Sequence, residues 1–196
     1  MIILCLPFYI IRHNRIVWGY NSLDLSILVR AKGVVRMLSK LFGKRKLHIY
    51  APVDGDIVPL EQVPDPFFSE KILGEGVAIL PTKGHIHAPI DGTVLLVAKT
   101  KHAIGLRSKD GTEILIHIGL ETVSLKGKGF TVLVNAGDFV SVGQLLIAVD
   151  WDFVGAKAKS IITPIVITNS GERQIQYERS TKCMMGQTVL MTVIPK

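Results

Sequence analysis

The sequence has few cysteines and no long apolar segment. Cys5 and Cys183 are its two cysteines, and they form no CxxC or Cys/His spacing, which argues against a disulfide framework or a cysteine-based zinc site. We interpret both as reduced structural residues of a cytoplasmic protein. The apolar run at residues 1–11 is too short to cross a bilayer. It also lacks the charged start and the small-residue cleavage site of a signal peptide.

Acidic residues are scarce at the start of the chain, where Asp24 stands alone against nine Lys and Arg in residues 1–46. Residues 47–196 hold fourteen Lys and Arg against fifteen Asp and Glu, a net charge of −1. A protein that binds nucleic acid through its body needs a basic body, so this balance argues against nucleic acid as a partner.

Short β-like runs separated by Gly, Pro and Asp-Gly dominate from Leu47 onward. This pattern predicts an all-β protein, an antiparallel β-sandwich or barrel-sandwich hybrid with at most short helices. The predicted strands are 47–50, 56–60, 77–80, 92–98, 103–107, 113–118, 131–134, 145–149, 162–168, 174–177 and 189–194. One short helix is predicted within residues 151–160, capped by Asp150 or Asp152.

A weak internal repeat relates two parts of the chain. Residues 51–58, APVDGDIV, recur as residues 88–95, APIDGTVL, and residues 142–147, VGQLLI, are echoed by residues 185–190, MGQTVL. Each copy joins a turn to a strand, which predicts two similar motifs facing each other. Biotinyl and lipoyl carriers use a related arrangement, but the Met-Lys-Met or Asp-Lys-Ala setting of their modified lysine is missing from this sequence.

Two histidines flank a predicted hairpin. The Asp-Gly pair at 110–111 lies between two β-like runs and predicts a two-residue loop. In that register His102 lies opposite Gly119, and His117 is its diagonal neighbour on the same face. Diagonal neighbours are about 7–8 Å apart, within reach of two imidazoles that lean toward each other.

The chemistry open to these histidines follows from their surroundings. The face opposite His117 is predicted to be core and carries Ile114, Ile116 and Ile118. An imidazole in apolar surroundings stays neutral at pH 7, and a neutral imidazole nitrogen is a nucleophile. Two facing histidines would also suit a zinc ion, completed by a carboxylate and a water. His85 and His87, at alternate strand positions, are a second candidate metal-binding pair.

Several motifs resemble one known family, the glucose-type IIA component of the bacterial sugar phosphotransferase system. The signature-like stretches are residues 116–123, IHIGLETV, and residues 125–130, LKGKGF. The similarity begins at residues 49–52, IYAP, and runs to the C-terminus through VPD at 63–65, EKI at 70–72, TKHA at 100–103, KAKS at 157–160 and TP at 163–164. The resemblance implies a β-sandwich phosphocarrier domain over residues 47–196.

The resemblance also implies roles for individual residues. His117 would accept a phosphoryl group from the histidine phosphocarrier HPr and pass it to a cysteine of a IIB domain of a sugar permease, without a cofactor. His102 would stabilise that group, Thr100 would hydrogen-bond within the site, and Gly119 would leave room beside it. The partner-docking rim would consist of Asp65, Phe67, Phe68, Ile72, Leu115, Glu121 and Val123.

The sequence departs from the family pattern at Glu121, where Asp is usual, at Ala98, where an aromatic residue is common, and at Pro66, where an aliphatic residue is usual. These departures bear on the choice of partner and on a zinc ion bridging His102 and His117 to a partner. A non-catalytic regulatory or zinc-binding β-sandwich module stays open as the alternative function.

The N-terminal residues carry two further expectations. Residues 37–46, MLSKLFGKRK, resemble the amphipathic N-terminal stretch of the family and suit weak contact with the anionic inner face of a membrane. Residues 1–36 precede the resemblance. Residues 31–36 can be encoded with AAAGGAGT, which looks like a ribosome-binding site before the Met37 codon. We therefore expect that residues 1–36 are not part of the natural protein.

Overall fold

The computed structural model describes the backbone of residues 11–12, 15–18, 21–24 and 46–195 and the side chains of residues 46–194. The chain divides into two units, residues 1–45 and 46–196. The described residues of the first unit form three short antiparallel strands that were not predicted: β1 Ile11–Arg12, β2 Arg15–Trp18 and β3 Asn21–Asp24. Residues 37–45 and the rest of 1–36 lie outside the described residues, so the expectations placed on them stay predictions.

Antiparallel strands dominate the second unit, and the all-β prediction is confirmed. The strands are β4 Leu47–Tyr50, β5 Asp54–Pro59, β6 Glu75–Lys83, β7 Ile86–His87, β8 Gly92–Val97, β9 Ala103–Ser108, β10 Glu113–His117, β11 Phe130–Val132, β12 Phe139–Val140, β13 Leu145–Val149, β14 Thr163–Ile167, β15 Arg173–Tyr177, β16 Lys182–Cys183 and β17 Val189–Pro195. Helices Pro66–Ser69 and Trp151–Lys157 and the 3-10 turns Leu60–Gln62, Thr122–Leu125 and Ser170–Glu172 lie between them.

Three sheets make up this unit. The largest has the order β12-β8-β9-β10-β14-β6-β5-β16, and the smaller two are β11-β13-β7 and β15-β17-β4. The large sheet ends at β12 and β16 and does not close on itself, so the fold is a sandwich rather than a barrel. Apolar side chains from all three sheets share one core, which includes Ile49, Ile116 and Ile147, each with 0% of its surface exposed. Burying each such side chain contributes about 1.5–3 kcal/mol.

The two copies of the internal repeat face each other, as predicted. The Tyr50 N–H donates to the Pro89 carbonyl and the His87 N–H donates to the Pro52 carbonyl, both at 2.9 Å. The sequence offset from Tyr50 to His87 equals that from Pro52 to Pro89, which is the offset between the two copies. The paired hydrogen bonds therefore join equivalent positions of the two motifs.

An equivalent aspartate caps a turn in each copy. The Asp54 carboxylate accepts a hydrogen bond from the Met185 N–H at 2.7 Å, and the Asp91 carboxylate accepts one from the Val142 N–H at 2.8 Å. Met185 and Val142 begin the second element of the repeat. The repeated sequence therefore reflects a repeated set of contacts.

The predicted helix is also found. It begins after Asp150, whose carboxylate accepts a hydrogen bond from the Phe153 N–H at 3.0 Å, so Asp150 rather than Asp152 is its N-terminal cap. Strands β7, β12 and β16 were missed, because two residues are too few to show an alternating pattern.

The register of the β9–β10 hairpin differs from the predicted one. His117 pairs with Ala103, and the Ser108 N–H donates to the Thr112 carbonyl at 3.0 Å. The loop therefore contains three residues, 109–111, instead of two, and the predicted pairing of His102 with Gly119 was wrong.

The side chain of Asp110 accounts for the longer loop. Its carboxylate accepts hydrogen bonds from the Thr112 N–H at 3.0 Å and from the Ser108 hydroxyl. Gly111 follows at φ 83°, the left-handed conformation that three-residue hairpin loops require.

Candidate functional site

The imidazole rings of His102 and His117 are in edge-to-face contact, with centroids 4.7 Å apart and planes at 74°. The predicted proximity is therefore confirmed, although the route to it differs. In the observed register, strand alternation would send the two side chains to opposite faces. His102, however, lies before β9 in a tight turn, where the Lys101 N–H donates to the Ala98 carbonyl at 2.7 Å. Alternation therefore does not determine where the His102 side chain points.

One hydrogen bond determines which nitrogen of His117 is free. Its Nδ1 lies 2.8 Å from the Gly119 carbonyl oxygen. A carbonyl oxygen only accepts, so Nδ1 carries the proton and Nε2 of the neutral ring carries the lone pair. Burial lowers the pKa of His117, and this effect is opposed by the Gly119 hydrogen bond and the charge of Asp65. The lowered pKa favours the neutral ring, and a neutral imidazole nitrogen is capable of nucleophilic attack.

The second histidine is held by Thr100. The Thr100 hydroxyl lies 2.7 Å from Nδ1 of His102. Burial, and then the neighbouring His117, lower the pKa of His102 to about 4, while a hydrogen bond with the Thr100 backbone opposes the shift. When the Thr100 hydroxyl donates to Nδ1, the proton of the neutral ring lies on Nε2. His102 is then a hydrogen-bond donor beside His117.

Gly119 occupies a position where a side chain does not fit. Its φ is 68°, and a Cβ atom there would lie 2.8 Å from Cγ2 of Thr122 and 2.9 Å from the Ser160 carbonyl oxygen. The Thr122 hydroxyl donates to the Ile118 carbonyl at 2.7 Å and holds this loop closed. We expected the missing side chain of Gly119 to leave space beside His102. Instead, the space that a Cβ atom of Gly119 would take is bordered by Thr122 and Ser160.

Three of the predicted rim residues are exposed apolar side chains. Phe67 and Ile72 are each 60% exposed and Val123 is 53% exposed. Large apolar side chains that are exposed together are a common feature of interaction surfaces, which is the physical basis of the docking prediction for these residues.

Phe68 differs from this expectation. It is 3% exposed, and its ring meets the His117 ring edge-on at 5.3 Å. Successive residues of a helix point about 100° apart, so the short helix Pro66–Ser69 directs Phe67 outward and Phe68 inward. Phe68 therefore packs against the His117 ring and, unlike the prediction for a rim residue, has almost no exposed surface.

The remaining predicted rim residues have defined contacts. Asp65 caps the helix Pro66–Ser69 by accepting a hydrogen bond from the Phe67 N–H at 2.9 Å. Glu121 is exposed at φ 60° and pairs with Lys159 at 3.6 Å. Leu115 is half-buried, two residues before His117 on β10.

Comparison with known proteins identifies the family. Residues 47–173 match the family described as phosphoenolpyruvate-dependent sugar phosphotransferase system, EIIA 1. The chain belongs to this family. The match includes His102 and His117 and nearly all of the second unit.

Individual EIIA proteins are similar over most of the chain. A protein of Staphylococcus epidermidis named PTS system glucose-specific EIIA component is 47% identical over 163 residues, which cover 80% of this chain and 98% of that protein. A Staphylococcus carnosus protein named PTS system glucose-specific EIICBA component is 49% identical over 143 residues, 73% of this chain and 21% of that protein. The solved structure of glucose permease IIA from Mycoplasma capricolum has a TM-score of 0.71 at 39% identity, covering 76% of this chain and 96% of that one.

The second candidate metal pair of this EIIA chain is not arranged as ligands. Nδ1 of His85 accepts a hydrogen bond from the Val149 N–H at 3.2 Å, which places the proton of a neutral His85 ring on Nε2. Nδ1 of His87 is 2.9 Å from the His85 carbonyl. In the described part of the chain, no three His, Cys, Asp or Glu side chains are grouped to hold a metal ion.

The sequence analysis did not predict the role of Thr122 in closing this loop, although Thr122 is part of the IHIGLETV stretch. The signal would have been a threonine shortly after a glycine, because Ser and Thr hydroxyls often close turns by bonding a nearby carbonyl.

Among residues whose placement is described, none of the helices has the length and hydropathy needed to cross a bilayer.

Proposed function

We propose that this EIIA domain carries a phosphoryl group on Nε2 of His117, accepting it from phospho-HPr and passing it to a cysteine of a IIB domain. The observation that carries the proposal is the 2.8 Å hydrogen bond from Nδ1 of His117 to the Gly119 carbonyl. This bond leaves Nε2 as the nucleophilic nitrogen, in a ring that contacts His102.

Each transfer exchanges one bond to phosphorus for another. In the first step Nε2 of His117 attacks the phosphorus. The bond between phosphorus and the donor imidazole breaks, and the donor ring keeps the bonding electron pair. In the second step a cysteine thiolate attacks the same phosphorus and His117 leaves as the neutral imidazole. Such reactions depend mainly on positioning and on stabilising the charge of the equatorial oxygens.

The residues around His117 suit that task. The Nε2–H of His102 donates to a phosphoryl oxygen, which stabilises charge that builds up during transfer. Phe68 and the apolar rim exclude water, which would otherwise hydrolyse the phosphohistidine. Thr100 keeps His102 in the tautomer that donates.

The choice of partners rests on the family. The name EIICBA of the Staphylococcus carnosus relative joins an A component to B and C components, which supports a IIB domain as the acceptor. We place the phosphocarrier domain at residues 47–196, in the cytoplasm where HPr acts, with residues 37–46 making weak contact with the inner membrane surface.

Intact mass measurement tests the proposal. The protein is incubated with phosphoenolpyruvate, enzyme I and HPr, and is expected to gain the mass of one phosphoryl group. His117→Ala is expected to gain none. Phosphorylation of His117→Ala, or of neither protein, would contradict the assignment.

A further inference from the structure

Four side chains, those of Glu61, Lys71, Glu75 and Tyr177, form one hydrogen-bonded group, the Lys71 cluster. Nζ of Lys71 lies 2.9 Å from Oε1 of Glu61 and 2.8 Å from Oε2 of Glu75. The Tyr177 hydroxyl donates to the same Glu75 oxygen at 2.7 Å. Glu61 belongs to the 3-10 turn Leu60–Gln62, and Glu75 is the first residue of β6. The Lys71 cluster therefore ties together the two ends of the segment 60–75.

The ammonium group of Lys71 is held more tightly than that of an ordinary surface lysine. It contacts two carboxylates, and its side chain is 32% exposed, whereas Lys83 pairs with Asp54 at 3.7 Å and is 78% exposed. Hydrogen bonds with Glu75 and then Glu61 raise the pKa of Lys71, and the bond to Lys71 lowers the pKa of each glutamate. The three groups therefore stay ionised at pH 7. Ion pairs that form such a network stabilise a structure more than isolated exposed pairs do.

The backbone at Lys71 ends the helix Pro66–Ser69 and turns the chain back toward β6. The Lys71 N–H donates to the Phe68 carbonyl at 2.9 Å, and the Gly74 N–H donates to the Lys71 carbonyl at 3.0 Å. Lys71 has a φ of 56°, a conformation in which glycine or asparagine costs less free energy than lysine. Backbone preference therefore does not explain a lysine at this position, whereas the two ion pairs of its side chain do.

Two connections link the Lys71 cluster to Phe68. The first is the hydrogen bond from the Lys71 N–H to the Phe68 carbonyl. The second runs through Glu61, whose neighbour Leu60 belongs to the same buried apolar group as Phe68. The Phe68 ring in turn meets the His117 ring edge-on at 5.3 Å. A displacement of the Lys71 cluster therefore changes the surroundings of the His117 ring through Phe68.

We propose that Lys71 is a positioning residue that keeps the Phe68 ring against His117 and so protects the phosphorylated ring from water, an inference that rests on the proposed function. Without the ammonium group, the like charges of Glu61 and Glu75 repel each other, and Phe68 loses both supports. Water then reaches the N–P bond, which a closed site protects from this side reaction. A water oxygen bonds to phosphorus, the N–P bond breaks, and the ring keeps the bonding electron pair. Both water protons leave with inorganic phosphate.

The test compares variants of the full chain. Lys71→Met removes the ammonium group and keeps an unbranched side chain, whereas Lys71→Arg retains a cation that can contact two carboxylates. Lys83→Met removes an exposed ammonium group elsewhere and is the matched control. Each protein is phosphorylated with phosphoenolpyruvate, enzyme I and HPr and is then separated from them. The loss of the phosphoryl group in buffer is followed by intact mass.

Lys71→Met is expected to lose its phosphoryl group about 2- to 10-fold faster than the wild-type protein, as coupling between contacting side chains commonly gives. Lys71→Arg and Lys83→Met are expected to keep the wild-type rate. Phe68→Leu is expected to be fast as well, and adding Lys71→Met to it should cause no further increase, because Lys71 acts through the Phe68 ring. A wild-type rate in Lys71→Met, or independent effects in the double variant, would overturn the proposal.

The ring protons of His117 provide a second measurement that needs no phosphoryl group. A phenyl ring 5.3 Å away shifts their NMR resonances, so Lys71→Met should move them in the same direction as Phe68→Leu. Unchanged resonances would overturn the proposal. If urea denaturation shows that Lys71→Met does not fold, Glu61→Gln removes one exposed carboxylate from the Lys71 cluster and should cause smaller shifts of the same sign. A wild-type protein that accepts no phosphoryl group would overturn the proposed function, whereas the resonances would still test the position of Phe68.

Discussion

Nδ1 of His117 donates a hydrogen bond to the carbonyl oxygen of Gly119, two residues along the chain, at 2.8 Å. The carbonyl that orients the His117 ring thus belongs to a residue with a φ of 68° and no space for a side chain. In the proposed function, the availability of Nε2 of His117 therefore depends on the backbone conformation at Gly119.

Gly119→Ala is expected to lower both stability and the rate of phosphorylation. A left-handed alanine and its contacts with Thr122 and Ser160 should together reduce the free energy of unfolding by about 2–4 kcal/mol, measured by urea denaturation. Gly143→Ala is the matched control, because Gly143 has a φ of 81° but no atom within 4 Å of an added Cβ. It should lose only about 1–2 kcal/mol and transfer normally, and equal losses in the two variants would refute the explanation.

His102→Ala is expected to separate the roles of the two histidines. The variant should still be phosphorylated, because Nε2 of His117 keeps its lone pair, but it should pass the group onward about 10²–10³-fold more slowly. Stopped-flow transfer to the IIB domain provides the measurement. A phosphorylation defect in His102→Ala as complete as that in His117→Ala would show that His102 is needed for acceptance.

Thr100→Val is expected to slow transfer without preventing phosphorylation. The substitution keeps the shape of the side chain but removes the hydroxyl that lies 2.7 Å from Nδ1 of His102. In the proposed arrangement this hydroxyl donates to Nδ1 and leaves the proton of His102 on Nε2. Thr100→Ser retains the hydroxyl and should transfer at nearly the wild-type rate. Indistinguishable rates in the two variants would exclude a role for the hydroxyl.

The site also makes the stability of the fold depend on pH. Burial lowers the pKa of His102 to about 4, whereas a histidine in the unfolded chain has a pKa of about 6.5. Between these values the unfolded state binds a proton that the folded state does not bind, so stability rises with pH. The contribution of His102 to the free energy of unfolding is fully present above about pH 6.5 and is lost progressively as the pH falls to about 4. His102→Gln should show a shallower rise in urea midpoint over this range, and an unchanged slope would refute the explanation.

The fold class and the histidine pair were predictable from the sequence because they depend on strong local signals. Alternating isoleucines define the buried face of β10, and Asp150 defines the start of a helix. The hairpin register was not predictable, because it depends on the competition of the Asp110 side chain for the Thr112 N–H. The position of His102 depends on Lys101 in a left-handed conformation, which a lysine does not signal.

Side-chain direction within short elements was the second limit. Phe67 and Phe68 are adjacent and identical in type, and the sequence alone did not show that one is exposed and the other contacts His117. Their directions follow from the single helical turn that Asp65 caps and from the packing of Phe68 with Leu60, Val63 and Leu120.

Two hydrogen bonds, Tyr50 to Pro89 and His87 to Pro52, join the two copies of the repeat, so each copy supplies backbone partners to the other. Opening either motif breaks both bonds, so the two halves should unfold together rather than one after the other. The amide protons of Tyr50 and His87 should then exchange with solvent at similar free energies of opening, although they lie in different parts of the sequence. A chain cut in the exposed loop around Gly137 should reassemble from its two fragments, since neither fragment contains the complete set of motif contacts.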